Sequence, residues 1–164
     1  MPSLTIPKSI TKSLRQSLRS AGNREIGGIL LAQQLEDDSF RLIEHTVDQR
    51  VGTSSTFRRS VTQHSNALDE FLERHEHEFR KFNYLGEWHS HPTFSVQPSL
   101  KDHDTMQSIV GGNGGLPFAV LLIVRLDYWF QLRASATVFR RDYESSPMEL
   151  IFEKKAQKMR FKNA

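Results

Sequence analysis

The run PFAVLLIV, residues 117–124, is the longest apolar stretch in the 164-residue chain. Eight residues cannot cross a bilayer, which takes about 20 in a helix. A short apolar run bounded by breakers reads as a buried strand, and GGNGG at 111–115 supplies the break in front of it. Two long strands are therefore predicted, at about 117–126 and 128–141. Residues 25–35 are apolar and rich in β-formers in their first half. The turn Glu36-Asp37-Asp38-Ser39 leads from them into Phe40 to Val47, a hairpin pattern. A further strand is expected over 83–91.

Helical spacing covers three other stretches. Over 7–20, Ile6, Ile10, Leu14 and Leu18 recur every four residues, with Lys8, Lys12, Arg15 and Arg19 as a second stripe, either a solvent face or a partner-docking face. Over 61–80, Ser60 can cap a helix whose apolar stripe is Val61, Leu68, Phe71, Leu72 and Phe79. The third helix spans 99–110. Residues 48–60 read as loop, and the last twenty residues favour a terminal helix after Pro147. Strands and helices alternate irregularly. The expected fold class is α/β (α+β), a mixed sheet flanked by helices in a single domain over 1–164.

The chain has no cysteine, so disulfides and thiolate metal sites are excluded. MPSLTIPKSITKSL has no apolar core of the secretory type. A cytoplasmic protein with no membrane association is the simplest expectation. The net charge of +3 is unevenly placed. Lys154, Lys155, Lys158, Arg160 and Lys162 are five positive charges in the tail 154–164, and subtracting them from +3 leaves −2 for the rest. The basicity belongs to a solvated end rather than to a nucleic-acid face.

His-x-His occurs twice. His75 and His77 fall inside the expected helix 61–80, where residues two apart point about 200° apart and cannot share an ion. His89 and His91 lie at the end of an expected strand, where residues two apart face the same side. Pro92 stops that strand, and Ser99 opens a helix with Asp102 in its first turn. Catalytic zinc keeps three protein ligands and one open position. His89, His91 and Asp102 can supply the three. Ser99 with Asp102 also reads as an ordinary helix cap beside the helix dipole. Glu25, at the start of REIGGILLA, is either a general base for such a site or an exposed partner of Arg24. Spacing leaves both open. Gly27 and Gly28 allow close approach of a substrate or neighbouring chain. Trp88 is expected in the core, and Phe94 and Val96 along a substrate channel. His103 and Asp104 are left out of the metal shell.

Glu25 followed by His89-x-His91-x7-Ser99-x2-Asp102 resembles the motif of the JAB/MPN/JAMM zinc metallopeptidases. The resemblance covers about residues 5–145 and implies a mixed, curved sheet with flanking helices. It also implies one Zn2+ per chain on His89, His91 and Asp102, with Glu25 as general base and Ser99 as oxyanion donor. The implied substrate is a protein with a ubiquitin-like or conjugated C-terminus, cut at an isopeptide or peptide bond. GEWHSHP is similar to the bacterial stand-alone branch, nearest the deconjugating JAB protease of CBASS antiphage operons. That likeness implies a cGAS-like nucleotidyltransferase and its E1/E2-like conjugating enzyme as partners. The alternatives are a protease of another bacterial ubiquitin-like operon acting on a linear precursor, and a non-catalytic MPN scaffold. The scaffold reading is the weaker, because this chain lacks none of the motif residues.

Any salt-dependent retention on a polyanion column is expected to vanish when residues 154–164 are deleted. Retention that survives the deletion would move the basic surface to the helix at 7–20.

Overall fold

The computed structural model describes residues 1–48 and 61–154. Most of the loop expected at 48–60, the Ser60 cap, the Val61 end of the helical stripe and the tail from 155 lie outside the described residues and side chains. The elements in chain order are β1 (Ser3–Ile6), α1 (Lys8–Ala21), β2 (Gly27–Glu36), β3 (Ser39–His45), α2 (Val61–Arg74), β4 (Phe82–Ser90), α3 (Leu100–Gly111), β5 (Phe118–Leu126), β6 (Leu132–Arg140) and β7 (Ser146–Phe152). The strands follow the order β1-β3-β2-β4-β5-β6-β7, and β7 pairs with β1 to close the sheet into a barrel. The β1–β3, β4–β5 and β1–β7 pairs are parallel and the other four antiparallel, so the sheet is mixed.

The apolar run is continuous because β5 is covered on both faces. Val120, Leu122 and Val124 join a cluster with Ile10, Leu14 and Leu18 of α1 and with Trp88. Ala119, Leu121 and Ile123 pack against Met106 and Val110 of α3 and Phe139 of β6. Each fully buried Leu or Ile contributes about 1.5–3 kcal/mol relative to exposure. β5 and its parallel neighbour β4 are thus gripped from both sides, and β4 carries the site. The Glu36–Ser39 turn forms as expected, with Asp38 in the left-handed region at φ 59°.

Three expectations fail. Ile6 does not belong to the first helix. Leu4 and Ile6 are fully buried on the four-residue strand β1, and Pro7 is the extended N-cap of α1. The spacing Ile6–Ile10 imitates a helical repeat across that boundary. The second helix stops at Arg74, not at 80, because Glu76 and His77 adopt left-handed backbone at φ 56° and 57°. His75 and His77 therefore sit in a turn. Their rings still diverge: His75 stacks on Phe82 with centroids 4.0 Å apart, and His77 meets the edge of Phe79. The terminal helix after Pro147 is instead strand β7. Met148 is buried, Leu150 packs against the core, and Glu149 between them is exposed, a two-residue alternation.

His45 ends β3 with its ring edge-on to Trp88, centroids 5.6 Å apart, and its buried Nδ1 has no hydrogen-bond partner among the described residues. Burial pushes its pKa down to about 4 from an ordinary 6.5. The unfolded chain then binds the proton more readily than the folded one. Stability is retained above pH 6.5 and lost as pH falls from 6.5 toward 4, by about 3 kcal/mol from this residue. Denaturant titrations at pH 7.5, 5.5 and 4.5 are expected to show a smaller loss in His45→Gln. An equal loss in both proteins would remove His45 as a source.

Candidate metal centre

β4 presents alternate residues to opposite faces. Trp88 points into the core, where its Nε1–H donates to the Thr46 carbonyl at 2.7 Å. His89 and, just past the strand, His91 point the other way and are 8% and 2% exposed. The His91 N–H donates to the Val124 carbonyl of β5 at 2.9 Å, which fixes the strand end. The chain turns after Pro92, and the Ser95 carbonyl accepts from His91 Nδ1 at 2.6 Å. That bond sets the tautomer and leaves a lone pair on Nε2. His91 Nε2 and His89 Nε2 are 3.0 Å apart. Only a proton or a metal ion between them makes that spacing favourable.

α3 brings the first carboxylate. Ser99 caps it: the hydroxyl oxygen accepts from Asp102 N–H at 3.1 Å, and Asp102 Oδ2 accepts from the Ser99 N–H at 2.7 Å and hydroxyl at 2.8 Å. The same carboxylate faces both histidines, Oδ1 at 3.3 Å from His89 Nε2 and Oδ2 at 3.5 Å from His91 Nε2. The cap and the site are thus one structure, and the two sequence readings are not alternatives. Burial alone would raise the Asp102 pKa. The imidazoles of His89 and His91 and the Ser99 backbone outweigh it and hold the carboxyl far below the ordinary range. Burial likewise opposes charge on His91, but Asp102, the Ser95 carbonyl and Glu25 outweigh it and raise its pKa.

Glu25 brings the second carboxylate. It lies two residues ahead of β2 rather than in it, and it is only 7% exposed, so it is not a surface partner of Arg24. A Glu25 carboxylate oxygen and one ring nitrogen of each histidine all fall within 4.8 Å of one another. Burial pushes the Glu25 pKa up, with His89 and His91 pulling the other way. Register explains the placement. Gly27 pairs with His89, and a Cβ on Gly27 would stand 2.3 Å from the Trp88 carbonyl oxygen. A Cβ on Gly28 would stand 2.2 Å from the Thr46 carbonyl oxygen. The chains these glycines admit are the protein's own β4 and the end of β3. Ser90, between the histidines and fully buried, accepts the Ile26 N–H on its hydroxyl at 3.0 Å. Sequence reading passed over Ser90 and the Ser95 carbonyl. Only the identity of Ser90 inside the doublet hinted at the first.

The donor set suits a divalent ion. Tetrahedral zinc with bonds of about 2.0–2.2 Å separates its ligand atoms by roughly 3.3–3.5 Å. The two imidazole nitrogens are 3.0 Å apart, and each has a different Asp102 oxygen at 3.3 or 3.5 Å, so all three side chains are close enough to share one ion. His103 stacks edge-on to Phe139 and Asp104 is exposed, both apart from the cluster. The Phe94 ring lies 4.1 Å from the His91 ring and is 43% exposed. Val96 is partly buried and packs against the cluster that holds Met106 and Val110 of α3.

A mixed sheet flanked by three helices, with this cluster at a strand end, defines a domain of the JAB/MPN type. Over residues 7–140 the chain matches the family described as prokaryotic homologs of the JAB domain, and it belongs to that family. It is 30% identical over 113 residues to a protein of Enterobacter hormaechei subsp. hoffmannii named CD-NTase/cGAS isopeptidase. That match covers 67% of this chain and 59% of the relative's length. The solution structure of a Desulfitobacterium hafniense protein shares the fold, with a TM-score of 0.68 at 18% identity over 94% of this chain and 95% of that one. A JAB1/MPN domain protein from Archaeoglobus fulgidus gives a TM-score of 0.46 at 19% identity, over 91% and 98% of the two chains.

The purified chain is expected to bind one divalent metal ion per molecule by elemental analysis. His89→Ala, His91→Ala and Asp102→Ala should each reduce occupancy at least about tenfold under the same conditions. Undiminished occupancy in all three would move the ion elsewhere.

Proposed function

We propose that this chain is a zinc-dependent isopeptidase of the JAMM type that reverses conjugation of one protein to another. The reading is carried by one observation, the buried Glu25 carboxylate beside two imidazoles that already share Asp102. His89, His91 and Asp102 hold a single Zn2+. When bound, zinc supplies Lewis acidity at the scissile carbonyl and brings the pKa of water toward 7.

The chain's own groups do the rest. Glu25, poorly solvated and with a raised pKa, accepts a proton from the attacking water as its oxygen bonds to the carbonyl carbon. It returns that proton to the leaving lysine nitrogen as the carbon–nitrogen bond breaks, and the second water proton follows from the new carboxyl group, leaving a carboxylate and an ammonium. Ser99, exposed at the start of α3, turns its hydroxyl from Asp102 to donate to the carbonyl oxygen as charge develops there. Phe94, standing over His91, walls the approach of the substrate C-terminus.

The substrate we propose is a cGAS-like nucleotidyltransferase joined through its C-terminus to a target lysine by an E1/E2-like enzyme. The name of the Enterobacter relative supports it. Antiphage defence in the cytoplasm follows from that choice. Among the described residues no helix is long and apolar enough to cross a membrane. A complete donor set argues against a non-catalytic scaffold.

Glu25→Ala is expected to lower turnover by roughly 10²–10⁴ with zinc occupancy unchanged. Mass spectrometry of the native host should find a lysine-linked adduct that accumulates in Glu25→Ala and not in wild type. Full activity in the variant would refute the general base. An unlinked, unprocessed precursor in place of the adduct would replace deconjugation by cleavage of a linear fusion.

A further inference from the structure

We infer that Ser90, the residue between the two histidines, is a positioning residue whose hydroxyl sets the place of Glu25. The β2–β4 ladder reaches Gly27 opposite His89. One residue further, an antiparallel hydrogen-bonded pair would exchange two backbone bonds between Ile26 and Ser90. The first is present: the Ser90 N–H donates to the Ile26 carbonyl at 2.8 Å. The Ile26 N–H goes instead to the Ser90 hydroxyl at 3.0 Å.

That substitution has a geometric use. Past Ser90 the chain leaves β2 and bonds to β5, through the His91 N–H and the Val124 carbonyl. A side-chain acceptor lets β4 turn away while Ile26 stays held. Glu25 is the next residue before Ile26, and its carboxylate must reach a pair of imidazoles that flank Ser90 on either side. One serine thus ties the segment carrying the base to the doublet carrying the ligands. The bond is sealed from water, since Ser90 and Ile26 are both 0% exposed. No solvent replaces the hydroxyl when it is removed. The buried Ile26 N–H loses its acceptor, and the segment ahead of it loses its anchor.

The inference rests on the isopeptidase reading for its kinetic consequence and on geometry alone for its structural one. The test compares Ser90→Ala, which removes the hydroxyl, with Ser90→Thr, which keeps it. The kinetic substrate is the conjugate that accumulates in the Glu25→Ala host. Ser90→Ala is expected to lower kcat about 10–100-fold, since misplacement of about 1 Å costs on that order. Its KM should stay within about twofold and its zinc occupancy at one per chain, and Ser90→Thr should recover kcat. A crystal structure of Ser90→Ala should show the Glu25 carboxylate displaced by about 1 Å or more from its wild-type place beside His89 and His91.

Unchanged kcat in Ser90→Ala, or a Glu25 carboxylate that has not moved, would overturn the assignment. Loss of zinc in step with loss of rate would overturn it too, and make Ser90 a support of the ligands instead. If wild type cleaves no conjugate, the isopeptidase reading fails, and the position of Glu25 in the Ser90→Ala crystal still decides the role of Ser90. Should Ser90→Ala fail to fold, Ser90→Cys, close in size with a weaker hydrogen-bonding group, carries the same two measurements.

Discussion

The lone pair on His91 Nε2 faces His89 Nε2 across 3.0 Å, held there by the bond from Nδ1 to the Ser95 carbonyl. Such an arrangement is repulsive until a proton or a cation enters it. The surroundings favour positive charge there, whether it comes as a proton or as a cation. Two carboxylates arrive from separate elements, Asp102 from the first turn of α3 and Glu25 from the approach to β2, and neither is well solvated. An apolar or neutral centre would leave them uncompensated in a poorly hydrated place, at a cost of several kcal/mol. The strand end, the turn after Pro92 and the helix cap serve one electrostatic arrangement.

That arrangement depends on how closely two strands run. β2 reaches the centre only because Gly27 lets its backbone lie against Trp88 and His89. β4 holds its line because Trp88 is anchored to Thr46 on one face and the strand is bonded to β5 along its edge. Helices α1 and α3 pack on the two sides of β5. The site is therefore built on the most buried part of the sheet, while Ser99 and Phe94 are on the exposed segment that follows.

The meeting of His89, His91 and Asp102, and the Ser99 cap, were legible in the sequence because they are local. His89 to Asp102 is one short segment, and its residue types are chemically specific. Glu25 was not settled by spacing, since its neighbour Arg24 offered an equally simple partner; the register of Gly27 against His89 is long-range information. The missed elements failed for local reasons. Ile6 stands four before Ile10 and so joined a helical repeat that Pro7 interrupts. Met148, Glu149 and Leu150 alternate, but Pro147 ahead of them suggested a helix start. The end of α2 lies at the left-handed Glu76 and His77, residue types that do not announce such a backbone.

The pairing of β1 with β7 bears on how the chain is made. β1 is synthesised early and β7 late, and each is the other's lateral partner. Until residues 146–152 leave the ribosome, the nascent sheet has two open edges, β1 and β6. Glu25, His89, His91 and Asp102 are by then already available. The residues of the cluster precede the strand that closes their scaffold, and in the interval the sheet keeps edges open to other chains.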